Sequence, residues 1–133
     1  MIFLDASVLL AAEDTDDTHH DAAVALLRTG SLATLDLALY ETTNVAIVRW
    51  KDPETAARLR QRIWLIAEFG ALVRVDPELS EAIALLTTET NLSSYDAGYV
   101  VAARRLGVPL ASCDERDLVT AGLAQLPASV LAL

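Results

Sequence analysis

Apolar residues recur along this chain in short runs separated by longer amphipathic stretches, the alternation produced by strands that lead into helices. Residues 2–4, 32–35, 72–75 and 110–112 read as four strands, and residues 129–131 as a fifth at the sheet edge. A short helix is expected from Ser7. A second, from about Thr18, carries Ala23, Leu26 and Leu27 to Gly30, which suits the left-handed exit position. Asp36 stands where a cap belongs, ahead of a helix with Leu37, Glu41, Asn44 and Val48 at offsets of four, three and four, so Glu41 and Asn44 share a face. Asp52 and Pro53 open a helix through Ile66. Asp76 and Pro77 open another, with Leu79, Ala82, Ile83 and Leu86 as its buried stripe. Ser93-Ser94-Tyr95-Asp96 starts a further helix that stops at Gly107 with Pro109 just beyond, and residues 115–121 read as a short one.

Strands joined by helices imply a mainly parallel sheet covered on both faces, a three-layer α/β/α sandwich in one domain over residues 1–133. The chain is 53% hydrophobic, yet no stretch approaches the roughly 20 apolar residues of a membrane span. Its start, Met-Ile-Phe-Leu-Asp, lacks the basic flank of a signal peptide, so a cytoplasmic location is expected. The single cysteine, Cys113, excludes an internal disulfide and any multi-cysteine zinc site, and is expected to pack at a strand end.

The net charge of −9 argues against a nucleic-acid partner until its distribution is considered. Acid concentrates in Glu13-Asp14-Thr15-Asp16-Asp17 and in a few isolated positions, whereas five of the ten basic residues fall between Arg49 and Arg62. Arg58 and Arg62, four apart, share a helix face; with Arg49 and Lys51 they are candidates for phosphate contact, or else a solvated helix face. Trp50 and Trp64 bracket this stretch and could stack on a base, meet a partner, or pack in the core.

Four separated acids carry the chemistry: Asp5, Glu41, Asp96 and Asp114. Asp5 ends the first strand, Asp114 follows the fourth, and Glu41 and Asp96 lie early in helices, so all four can face the carboxyl ends of parallel strands, where open α/β sheets bind ligands. Carboxylates gathered there repel one another, and Mg²⁺ or Mn²⁺ is the usual remedy. Each residue also has a plain reading. Asp96 fits a capping box begun by Ser93, Asp114 could cap the helix after it, and Glu41 could be an exposed helix glutamate. Asp5 is harder to explain that way, because a carboxylate directly after an apolar strand is costly unless paired or bound to metal. His19 and His20 follow the acidic loop and fit a solvated or helix-supporting role, and Tyr99 reads as core packing.

These residues resemble a known family. Met1 to Ser7, Glu41 on a middle helix, Ser94-Tyr-Asp96-Ala97 opening a late helix, and Leu110-Ala-Ser112-Cys-Asp114-Glu-Arg-Asp117-Leu118 are similar to the PIN domain, in order and over nearly the whole chain. The compact length is most similar to VapC toxins, the ribonuclease halves of VapBC-type toxin-antitoxin pairs. The resemblance implies an Mg²⁺-dependent endoribonuclease, with Mn²⁺ able to substitute, silenced by a small VapB-type antitoxin. It implies a catalytic set of Asp5, Glu41, Asp96 and Asp114, with Asp5, Asp96 and Asp114 as metal ligands. Ser7, Asn44, Ser112 and Asp117 are expected to support them. Ser112 stands where the family more often has threonine, and the hydroxyl is kept. Asp117 reads equally as a further ligand or as a solvated charge near a helix start.

The expected reaction is metal-assisted phosphodiester hydrolysis of RNA. The apolar content of so short a chain adds a homodimer to the expected partners, using some of Val45, Ile47, Val48, Trp50, Trp64 and Leu65. A receiver domain and an aspartate-nucleophile phosphatase would each need a lysine that is missing here, Lys51 being the only one. A catalytically inactive PIN-like module that binds RNA or protein is the remaining alternative.

Overall fold

The computed structural model describes residues 1–133. Four strands, β1 (Ile2–Leu4), β2 (Leu32–Leu35), β3 (Ala71–Val73) and β4 (Leu110–Ala111), form one sheet in the order β3-β2-β1-β4. All three pairings are parallel, with Phe3 opposite both Ala33 and Leu110. All four residues of β2 are buried, as a strand covered on both faces requires. The helices are α1 (Ala6–Ala11), α2 (His20–Leu27), α3 (Leu37–Asn44), α4 (Pro53–Phe69), α5 (Pro77–Glu89), α6 (Ser94–Leu106) and α7 (Pro127–Leu131). They flank the sheet, which is the α/β sandwich expected, and one apolar cluster runs through all its layers.

Short polar residues start the helices that matter most. Asp52 accepts from the Thr55 N–H at 3.0 Å, Asp76 from the Leu79 N–H at 2.7 Å, and Ser93 from the Asp96 N–H at 3.1 Å. Asp76 also receives both Arg105 terminal nitrogens, at 2.9 and 3.0 Å, which ties the start of α5 to the end of α6. That pairing holds the Asp76 carboxyl down at about 2. Gly107 ends α6 in the left-handed region at φ 67, as its position after Leu106 predicts.

Several expectations are corrected. Residues 129–131 are helical, not a fifth strand. Pro127 has its φ fixed and lacks an N–H, which suits a first helical position, and the edge of β4 is already occupied. Gln125 fills that edge by accepting from the Ser112 N–H and donating to Leu110, each at 2.9 Å. Gly30 is not left-handed; α2 stops at Leu27 with Arg28 as its cap. Asp36 occupies the position before α3 in a helical conformation and its side chain caps nothing. The segment after α3 is a wide π turn, Val45–Arg49, closed by the Trp50 N–H to Val45. A second π turn, Glu115–Val119, replaces the α-helix expected over 115–121.

Strand order decides where a ligand can sit. From β1 the chain moves through β2 to β3 on one side, and β4 returns to the other side of β1. The direction reverses between β1 and β4. The loops leaving these two strands therefore diverge and leave a crevice at their carboxyl ends. Asp5 leaves β1 there, and Ser112 to Asp114 leave β4.

Candidate metal centre

Asp5 caps α1 from an extended backbone, and its carboxylate is almost completely surrounded, 4% exposed. Oδ1 accepts from the Ser7 N–H at 3.1 Å, the Ser7 hydroxyl at 2.5 Å and the Val8 N–H at 3.3 Å. Oδ2 accepts from the Ser112 hydroxyl at 2.5 Å, across 107 residues. The serines are held in turn. The Cys113 N–H donates to Ser7 Oγ at 2.9 Å, and the Asp114 N–H to Ser112 Oγ at 3.0 Å. Two hydroxyls thus stitch the loop after β1 to the loop after β4. Burial still pushes the Asp5 carboxyl up to about 6, against the hydrogen bonds from Ser112 and Ser7 and with a contribution from the Asp96 charge.

Asp96 occupies the first turn of α6, where its backbone N–H donates to the Ser93 cap, so its place in the cap is made by the backbone. The capping role and a ligand role are therefore compatible. Asp114 caps the second π turn through Oδ1, which accepts from the Asp117 N–H at 3.0 Å. The same turn carries Asp117, which is exposed. One carboxylate oxygen from each of Asp96, Asp114 and Asp117 lies within 4.8 Å of the other two. Burial, then the charges of Asp114 and Asp117, raise the Asp96 carboxyl above its ordinary value.

The three-acid group contains Asp117, which the sequence leaves undecided, and does not contain Asp5. Glu41 projects from α3, half-buried, and accepts from the Tyr99 hydroxyl through Oε1 at 2.7 Å. Its carboxyl is raised by burial, with Asp96 adding to the shift and Tyr99 opposing it. Asn44 is exposed and lines the groove between α3 and α4 with Tyr40 and Trp64. Tyr99 packs in the core as expected, 2% exposed, but its bond to Glu41 was missed. The available signal was its type: three residues after Asp96 on one helix, a tyrosine brings a polar atom that a phenylalanine would not.

Outside this cluster, Arg58 pairs with Glu13 at 3.3 Å and donates to Thr55 Oγ1 at 2.7 Å. Arg62 flanks the same pocket as Glu13, while Arg49 and Lys51 are exposed at the turn before α4. His20 Nδ1 lies 2.8 Å from the Ala11 carbonyl, tying α2 to α1, and His19 lies 3.6 Å from Glu115, at the turn after Asp114. The Cys113 thiol is pushed up to about 12, by burial first and the Asp5 charge next, which keeps it protonated and unreactive.

The residues suit a hard divalent cation. The donors are carboxylate oxygens alone, without the imidazole or thiolate that zinc favours, and crowded like charges need a counter-charge. No helix is long and apolar enough to cross a membrane.

The family model described as "PIN domain" matches residues 2–122, and the chain belongs to the PIN domain family. No curated protein matches it. Among solved structures, the fold is similar to Mycobacterium tuberculosis VapC20, a sarcin-ricin loop cleaving toxin, at TM-score 0.76 and 21% identity over 92% of this chain and 95% of that one. A toxin-antitoxin complex from Klebsiella pneumoniae gives TM-score 0.71 at 14% identity, over 96% of this chain and 98% of that one. PAE2754 from Pyrobaculum aerophilum gives TM-score 0.65 at 26% identity, over 98% of this chain and 92% of that one.

The raised Asp5 carboxyl sets a pH dependence. Its folded value of about 6 lies above the ordinary 3.8, so the folded state binds its proton more tightly than the unfolded state. That stabilisation is complete below pH 3.8 and is lost as pH rises through 6. In chelator, Asp5→Asn should therefore gain about 3 kcal/mol relative to the wild type between pH 3.5 and pH 7.5. Urea unfolding at the two pH values measures this gain; a difference that does not change with pH would refute it.

Proposed function

We propose that this protein is an Mg²⁺-dependent endoribonuclease and the toxin of a VapBC-type pair. The observation that carries the reading is the meeting of Asp96, Asp114 and Asp117 at the sheet's switch point, with Asp5 and Glu41 electrostatically coupled to Asp96. Family membership and the fold likeness to a VapC toxin support it.

Asp96, Asp114 and Asp117 would hold the cation, with Asp5 reaching it through Oδ2, the oxygen that accepts only one hydrogen bond. When bound, Mg²⁺ offsets the repulsion among these carboxylates and stabilises charge developing on a phosphodiester. Ser7 and Ser112 keep Asp5 oriented. Glu41, whose raised carboxyl makes it a better base than an ordinary glutamate, accepts the proton of the attacking water. Attack at phosphorus and cleavage of the P–O3′ bond leave a 5′-phosphate and a 3′-hydroxyl without using the 2′-hydroxyl. The preference for RNA rests on the family and the fold likeness.

Arg49 and Lys51, exposed at the turn before α4, would contact phosphates; Arg62, which lies with Gly30 and Gly70 at the amino ends of β2 and β3, would meet only RNA that extends along α4, and Arg58 can join them only by leaving Glu13. A small VapB-type antitoxin would silence the site, an arginine presented to the carboxylates competing with the cation. Ile47, Val48, Trp64 and Leu65 are exposed around α3 and α4 and would form a homodimer contact; Val45 and Trp50 are partly buried within their own chain.

Asp96→Asn should abolish RNA cleavage in Mg²⁺ while leaving the circular dichroism spectrum intact, and in chelator its Tm should equal or exceed the wild type's, because one crowded charge is gone. A variant that still cleaves fully would move the site elsewhere, and a wild type that cleaves no RNA would leave the protein as an RNA- or protein-binding module. Light scattering should give the isolated protein twice the mass of one chain, reduced to one by Trp64→Glu. A wild type of single mass at every concentration would remove the dimer.

A further inference from the structure

Tyr99 is the largest side chain fully enclosed in the interior. Its ring fills space between α6 and the sheet, a task phenylalanine performs equally well. The hydroxyl is therefore the part that needs a reason. An enclosed hydroxyl without a partner costs about 1–3 kcal/mol, and the side-chain partner this one has is Glu41, 58 residues away on a different helix. Burial and the adjacent Glu41 charge push the phenol far above its ordinary range, so it keeps its proton and donates it to Glu41 in the hydrogen bond.

The bond has a direction that matters. Glu41 is a three-torsion side chain on α3 and would sample several rotamers at a half-buried helix surface. Oε1 is anchored by Tyr99, which leaves Oε2 as the oxygen free to act. Tyr99 and Asp96 lie three residues apart on α6 and so on one face of it, which fixes the anchor for Glu41 and the first acid of the trio to a single rigid element. Building on the nuclease reading, we propose that Tyr99 is a positioning residue for catalysis: it clamps Glu41 through Oε1 and so presents Oε2 to the attacking water beside Asp96. Catalytic groups held to within about half an ångström by such supporting bonds react faster without binding substrate more tightly.

Tyr99→Phe isolates the hydroxyl while keeping the ring. In the metal-free variant, the Tm should stay within a few degrees of the wild type, and the three-bond couplings of the Glu41 side chain should change from one rotamer to an average. Cleavage should fall about 10- to 100-fold in kcat with KM for the RNA unchanged. In a Glu41→Ala background the same substitution should cost less than about twofold, because the two residues act as a unit. Couplings that still report one rotamer would overturn the clamp. An unchanged kcat, or full additivity with Glu41→Ala, would overturn its role in catalysis. If the wild type cleaves no RNA, the nuclease reading fails and with it the catalytic role; the coupling measurement still decides the clamp.

Discussion

A buried carboxylate at the end of a central parallel strand is the constraint around which this structure is arranged. Asp5 cannot reach bulk water, so its oxygens must be satisfied by protein donors. They are satisfied from two directions: by Ser7 and the first amides of α1, which follow it in sequence, and by Ser112, which arrives on the far side of the sheet's switch point. Because Ser112 Oγ also receives the Asp114 N–H, the bond that solvates Asp5 places Asp114 as well. Closing the fold and assembling the site are the same event at this point. A misregistered β4 would leave Asp5 unpaired, a penalty of several kcal/mol for a buried charge.

The remaining acids add to the difficulty. Burial raises Asp5, Glu41 and Asp96 most; Asp96 adds to the shift of the other two and is itself raised further by Asp114 and Asp117, so the site holds desolvated charges that also repel one another. Hydrogen bonds from Ser7, Ser112, Ser93 and Tyr99 relieve part of that strain. None of these donors carries a positive charge; the exposed Arg116 comes only to 3.9 Å from Asp117, and the closer arginine pairs, Arg105 with Asp76 and Arg58 with Glu13, lie elsewhere. The basic residues of α4 form no ion pair with these acids, which is the distribution expected where the counter-charge comes from outside.

Features governed by local chemistry were legible in the sequence. The four strands, the caps at Asp52, Asp76 and Ser93, and the left-handed Gly107 follow from neighbours within a few positions. The misread elements either depend on a distant partner or depart from the helical period without a residue that marks the departure. Residues 129–131 are apolar enough for an edge strand, but Gln125 already fills that edge, and nothing near Ser129 reveals it. The π turns after α3 and after Asp114 leave no periodic signature, since one extra residue per turn alters the pattern no more than a loop does. At the site, the acids stood out because they interrupt apolar segments, whereas the Tyr99 bond was hidden beneath a residue type that also belongs in cores.

Crowded carboxylates that take a divalent cation in the folded protein must exchange protons for it, and proton linkage tests that most directly. Mg²⁺ binding must displace protons held by raised carboxyls. Calorimetric titration of the metal-free protein with Mg²⁺, in buffers of different ionisation enthalpy, should show on the order of half a proton released per cation at pH 6 and almost none at pH 8. Failure to bind Mg²⁺ at millimolar concentration, or binding with the same proton count at both pH values, would contradict it.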